Sequence, residues 1–137
     1  MTNDEIGTIA DLEAIRDLAV RYAHGVWTKD VVSIAALFVE DGEMDTGREV
    51  LRGRDAIRST YARVFAQDDF FPFVHNHVID IAGADASGTS YLDLRAVIGG
   101  ARMTGFGSYS DRYARTPDGW KFRARRLVME ELRPAPD

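Results

Sequence analysis

The sequence predicts an α+β domain in which helices come first and a curved antiparallel sheet follows. Apolar residues recur at three- and four-residue spacing as far as Phe65, and from Val74 onward they alternate. No repeat, linker or low-complexity stretch divides the chain. At 137 residues, one domain over positions 1–137 is long enough to bury a core without disulfides or metals. Segregated helices and strands of this kind pack as helices on one face of a sheet, and a curved sheet covered in that way encloses a cone-shaped cavity.

The first helix is expected from Ile9 to Trp27, with Thr8 and Asp11 at its start and Ile9, Leu12, Ile15, Ala19, Tyr22 and Val26 as its apolar stripe. Asp30 is placed to cap a second helix, Val31 to Phe38, which the acidic run Glu40-Asp41-Gly42 ends. Two short strands, Glu43–Asp45 and Glu49–Arg52, flank a Thr46-Gly47 turn. Gly53-Arg54-Asp55 opens a third helix that runs through Phe65 on a stripe of Ile57, Tyr61 and Val64. Gln67 to Pro72 reads as an irregular loop, because it is polar, then aromatic, and holds a proline. Four long strands close the chain: Val74–Ile81, Thr89–Ile98, Met103–Tyr113 and Trp120–Glu131, separated by turns rich in Gly, Asp and Pro.

Composition narrows the function classes. A net charge of −5 argues against a general binder of nucleic acid or anionic membranes, which reward basic proteins. The late cluster Lys121, Arg123, Arg125 and Arg126 reads as alternation on a strand rather than a phosphate patch. No cysteine is present, which excludes thiol catalysis and thiolate metal sites, and no His-rich or carboxylate-spaced motif predicts a metal. The opening Met-Thr-Asn-Asp-Glu-Ile is acidic where a signal peptide is basic and then apolar, so a cytoplasmic protein is expected. There is no nucleophile elbow, phosphate loop or dinucleotide fingerprint.

What remains is acid–base chemistry in a pocket, for which histidine is suited because its pKa lies near neutrality. His75 and His77 share the parity of Ile79 and Ile81, and alternation places all four on the inward face of one strand. Asp45, if inward, could orient a histidine. Phe122, Ala124, Arg126 and Val128 share parity, which makes Arg126 the basic residue expected to reach inside and hold an oxyanion. Trp27, Met44, Phe73, Met103 and Phe106 are the expected apolar walls of a substrate site, and ordinary core packing is the alternative role for each.

Several local patterns match a known family: Ile15-Arg16-Asp17-Leu18 with Arg21-Tyr22-Ala23, Ala35-Ala36-Leu37-Phe38 with Asp41, and Leu51-Arg52-Gly53-Arg54-Asp55-Ala56-Ile57. Asn76-His77-Val78-Ile79-Asp80, Gly107-Ser108-Tyr109, Asp111-Arg112-Tyr113 and Gly119-Trp120-Lys121-Phe122 complete the match. On these residues the chain resembles the SnoaL-like branch of the NTF2-like superfamily, which includes scytalone dehydratase, ketosteroid isomerase and bile-acid dehydratase. The resemblance implies a conical cavity for a hydrophobic cyclic or aromatic molecule, a homodimer or homotrimer, and a cofactor-independent lyase or isomerase of dehydratase type. A non-catalytic ligand-binding module and the small subunit of a ring-hydroxylating dioxygenase are the alternatives the fold allows. Dehydratases of the group use an aspartate near the end of helix one and a histidine four residues before the Asn matched by Asn76; here those slots hold Trp27 and Pro72. His24, three residues before Trp27, is then the group on nearly the same helical face that could take the aspartate's place, and Tyr22 matches a position where tyrosine polarises a substrate oxygen.

Overall fold

The computed structural model describes residues 1–137 in the order α1 (Asn3–Thr28), α2 (Val31–Ala36), β1 (Phe38–Asp45), β2 (Val50–Arg52), α3 (Arg54–Phe65), β3 (Asp69–Ala82), β4 (Asp85–Ile98), β5 (Ala101–Thr116) and β6 (Gly119–Pro134). One curved, unclosed sheet has the order β2-β1-β6-β5-β4-β3; all its pairs are antiparallel except β1 with β6. The helices cover one face, and no helix is long and apolar enough to cross a membrane.

Helix α1 starts six residues before the expected position because Thr2, not Thr8, caps it: the Thr2 hydroxyl accepts from the Glu5 amide at 3.1 Å. Its buried stripe is Ile15, Leu18, Ala19, Tyr22, Gly25 and Val26, while Ile9 stays exposed. Lys29 ends the helix in the left-handed region, at φ 58°, and its ammonium ties this end to the Phe65 carbonyl and to Asp69. Asp30 caps α2 as expected, accepting from the Ser33 amide at 3.1 Å.

Helix α2 stops at Ala36 and Phe38 already belongs to β1, so the acidic run at 40–42 does not end a helix. It lies in an irregular part of that strand, between the Phe38 and Glu43 pairings with β6. The expected loop at 67–72 is likewise mostly strand: β3 begins at Asp69 and carries Pro72 opposite Leu94. Proline is tolerated there because β3 is an edge strand.

The interior face of the sheet is set by alternation broken at bulges. On β4, Ser90, Leu92, Leu94 and Ala96 are buried and Tyr91, Asp93 and Arg95 exposed. On β3, Val74 pairs with Leu92 but His77 with Ser90, so one extra residue is accommodated between them. On β6, Phe122 pairs with Tyr113 and Ala124 with Arg112, which leaves Arg123 unpaired. Each bulge shifts the inward parity by one residue and adds twist. Inside, a cluster of 19 buried residues packs between helices and sheet, with Tyr22, Phe38, Tyr61, Phe65, Tyr109 and Phe122 as its aromatic centre.

Candidate functional site

A polar band crosses this aromatic interior. The bulge at Arg123 turns Arg125 inward beside Asp111 of β5, its ladder partner, and both side chains are fully buried. Arg125 Nε donates to Asp111 Oδ1 at 3.0 Å. The Tyr113 hydroxyl donates to Asp111 Oδ2 at 2.9 Å, and His77 Nε2 lies 2.9 Å from the same hydroxyl oxygen. Gly88 makes this reach possible, since a Cβ there would sit 2.9 Å from Tyr113 Oη and 2.9 Å from the Val78 carbonyl. The guanidinium carbon of Arg125 stands 3.6 Å from the Tyr109 ring centroid, 4.4 Å from that of Tyr22 and 4.6 Å from that of Phe122. Desolvated cation–π contacts of this kind contribute about 2 kcal/mol or more each. The Tyr22 and Tyr61 hydroxyls hydrogen-bond to each other, and Met44 Sδ lies 3.9 Å from Tyr22 Oη.

The hydrogen bonds fix the proton positions. Tyr113 has one hydroxyl proton and gives it to Asp111, so His77 must donate to Tyr113 through Nε2–H, and its Nδ1 lone pair is left unshared. Burial, with Arg125 and Arg16 adding repulsion, lowers the His77 pKa to about 4, which keeps the ring neutral at physiological pH. Burial pushes the Asp111 carboxyl upward against the pull of Arg125 and the Tyr113 hydroxyl, and the guanidinium at 3.0 Å keeps it ionised at neutral pH. For Arg125 burial opposes the charge, yet Asp111 and the neighbouring phenols more than offset it, and its pKa is raised. Burial raises the pKa of Tyr22, Tyr61, Tyr109 and Tyr113, so all four are proton donors rather than phenolates.

Of the residues singled out from sequence, Tyr22, Met44 and His77 lie in or beside this band. His24 does not: it is exposed on the outer side of α1. His75 is also outside, because the bulge before His77 turns it to the far face of the sheet, where its Nε2 lies 2.7 Å from Asp93 Oδ2. Asp45 and Arg126 face out too, 3.7 Å apart, beside a surface depression of about 270 Å³. Arg126 loses its expected place to Arg125 through the bulge at Arg123. Phe73 and Phe106 are 43% and 48% exposed and stand on the outer face, so neither is an interior wall. Met103 is half-buried on the inward parity of β5, opposite Ala96 and Pro134.

Trp27 and Pro72 are brought together: the indole N–H donates to the Pro72 carbonyl at 2.8 Å. The ring sits against Phe71 and Phe73, with centroids 4.8 and 5.3 Å away, and Trp27 remains 44% exposed. The two slots where the resemblance places a catalytic pair are therefore neighbours in space, occupied here by a lock between helix and edge strand.

Sequence reasoning missed Asp111, Arg125, Tyr61, Tyr109 and Tyr113. Tyr109, Asp111 and Tyr113 share one parity along β5, a signal that was available. Arg125 had none, because its orientation depends on the bulge.

The sequence matches the family model described as a SnoaL-like domain over residues 7–126. No curated protein matches the chain. Among solved structures, a protein of Novosphingobium aromaticivorans described as a candidate aromatic ring hydroxylase is 28% identical, with a TM-score of 0.85 over 93% of this chain and 94% of its own. A candidate scytalone dehydratase from the same organism is 21% identical, with a TM-score of 0.84 over 95% of this chain and 91% of its own. A type 2 hexachlorocyclohexane dehydrochlorinase is 17% identical, with a TM-score of 0.90 over 96% of this chain and 93% of its own.

Proposed function

The chain belongs to the SnoaL-like family, and from that premise we propose that it is a cofactor-independent lyase or isomerase that moves a proton on a small hydrophobic cyclic molecule held between helices and sheet. The observation that carries the reading is His77, a neutral imidazole on the inner face whose Nε2 is committed to Tyr113 and whose Nδ1 is unshared. In this mechanism Nδ1 takes a proton from a substrate carbon. The C–H electron pair then forms a double bond, either as a neighbouring leaving group departs with its own pair, or as an adjacent double bond shifts and a more distant carbon takes the proton back from Nδ1. The Tyr22–Tyr61 pair, still protonated, donates to the substrate oxygen on which charge develops. The positive charge forming on His77 is stabilised through the Tyr113 hydroxyl by the Asp111 carboxylate, which Arg125 holds in place. The dehydratase and dehydrochlorinase relatives support elimination as the reaction class.

The test is turnover of a panel of cyclic and aromatic alcohols and ketones by the wild type, His77→Gln and Tyr22→Phe. Loss of a positioned base costs roughly 100- to 10,000-fold. Undiminished turnover by His77→Gln overturns the assignment. The Trp27–Pro72 lock favours a second reading, a ligand-binding module without turnover, because it occupies the slots of the resembled family's catalytic pair. Micromolar binding of panel members with no turnover by the wild type selects that reading.

A further inference from the structure

Helix α1 carries a second apolar stripe that the fold does not use. Its core face presents Ile15, Leu18, Tyr22 and Val26, while on its outer side Ile6, Ile9 and Val20 are 52%, 53% and 61% exposed. Every residue from Met1 to Ala10 is exposed, although Thr2 caps the helix there. An uncovered stretch of that length is only marginally helical in water, and in proteins it is packing against another element that stabilises such a helix.

The outer positions form a regular series. Ile6, Ile9, Glu13, Arg16, Val20 and Ala23 follow one another at alternating three- and four-residue steps, the spacing that keeps one seam of a helix turned toward a neighbouring helix. Ala23 is half-buried and the other five are exposed. In its middle the seam holds one acid and one base. Nearby charges on α1 are paired within the chain, Asp11 with Arg115 and Asp17 with Arg21, whereas Glu13 and Arg16 make no ion pair.

This seam is complementary to itself in one orientation. Laid antiparallel about a two-fold axis between Ala14 and Ile15, two copies of α1 place Glu13 of each opposite Arg16 of the other, Ile9 opposite Val20 and Ile6 opposite Ala23. Asn3 to Val26 then overlap along about 36 Å, nearly the whole helix. A parallel pair would set Glu13 against Glu13 and Arg16 against Arg16. An antiparallel slide of one heptad in either direction would set both charges against apolar residues.

We infer that the outer face of α1 is a docking surface for a second copy of this chain, joined antiparallel along this seam, with two reciprocal Glu13–Arg16 pairs fixing the register. A strip one helix wide is smaller than a standard interface, so the dimer is a weak one, with a dissociation constant in the micromolar range.

Sedimentation velocity on the full chain in low salt, from about 1 to 500 µM, tests it with wild type, Glu13→Arg, Arg16→Glu and the double variant. Both positions are exposed, so the substitutions leave the core intact. Wild type should pass from monomer to dimer over that range. Each single reversal turns two attractions per dimer into two repulsions and should weaken association about tenfold or more. Glu13→Arg/Arg16→Glu restores both pairs and should dimerise as wild type does. The two single variants mixed one to one should form a heterodimer more readily than either dimerises alone, because residue 13 of each then faces an opposite charge at residue 16 of the other. Wild type that stays monomeric throughout, single variants that dimerise as tightly as wild type, a double variant as weak as the singles, or a mixture no better than its components each overturn the inference.

Discussion

Replacing Asp111 by Asn isolates the contribution of the buried pair. The amide keeps the shape of the carboxylate and can still accept from Tyr113, so the main change is the loss of one charge opposite Arg125. Both side chains are fully buried, with no solvent to take over the role of the lost partner. Breaking a buried pair by removing one member costs about 3–5 kcal/mol, because the remaining charge is left uncompensated. The aromatic contacts of Arg125 exist in both proteins and do not reduce the difference. For a domain of 137 residues each kcal/mol lowers the melting temperature by about 3–5 °C, so a fall of about 9–25 °C is expected. Thermal unfolding followed by circular dichroism measures the fall and urea unfolding the free energy, with Asp111→Leu/Arg125→Met as a second variant that removes both charges and should recover part of the loss. A penalty below about 1 kcal/mol for Asp111→Asn would refute the reasoning, since it would mean that water reaches the pair.

Other expectations concern the neighbours of that pair. His77 is neutral in the fold with a pKa near 4 but has an ordinary value of 6.5 when unfolded, so its share of stability is complete above pH 6.5 and is lost as pH falls toward 4; urea midpoints of His77→Gln should vary less over that window than those of wild type. Gly88→Ala forces a methyl against Tyr113 and the Val78 carbonyl, and should cost about 1–3 kcal/mol of stability and abolish the Tyr113 contact to His77, visible as a shift of the imidazole resonances. Asp11 accepts both Arg115 nitrogens, at 2.9 and 2.6 Å, and the Trp120 indole at 3.0 Å. The Arg115 bond first, then Trp120, holds its carboxyl below the usual range. Its contribution is present above the ordinary carboxylate pKa and is lost as pH falls through the depressed value, so Asp11→Asn should flatten the acid side of the stability profile.

The order and type of elements were legible because periodicity reports them locally: α3 begins and ends as its stripe predicts, and Asp30 caps α2. The strands came out too short where their ends carry polar or irregular sequence, as at Asp69–Phe73 and Phe38–Gly42. The site was harder to read for a physical reason. Inward parity is an unbroken count only while the ladder is regular, and the extra residues near His75 and at Arg123 each reset it. One reset sends His75 out and keeps His77 in; the other exchanges Arg126 for Arg125. A bulge is decided by how two strands meet across the sheet, and a single strand read alone does not carry that information.

The Trp27–Pro72 lock has a consequence for the protein's behaviour in concentrated solution. Strand β3 is an open border of the sheet, and its Phe71 and Phe73 are apolar, the combination that invites another chain to add itself strand by strand. The indole from α1 lies across that border, takes up one of its carbonyls and packs on both phenylalanine rings, leaving Phe73 43% exposed. A chain carrying Trp27→Asp would be expected to gain a carboxylate at the helix end while losing the indole's hold on this edge and opening it to its own copies.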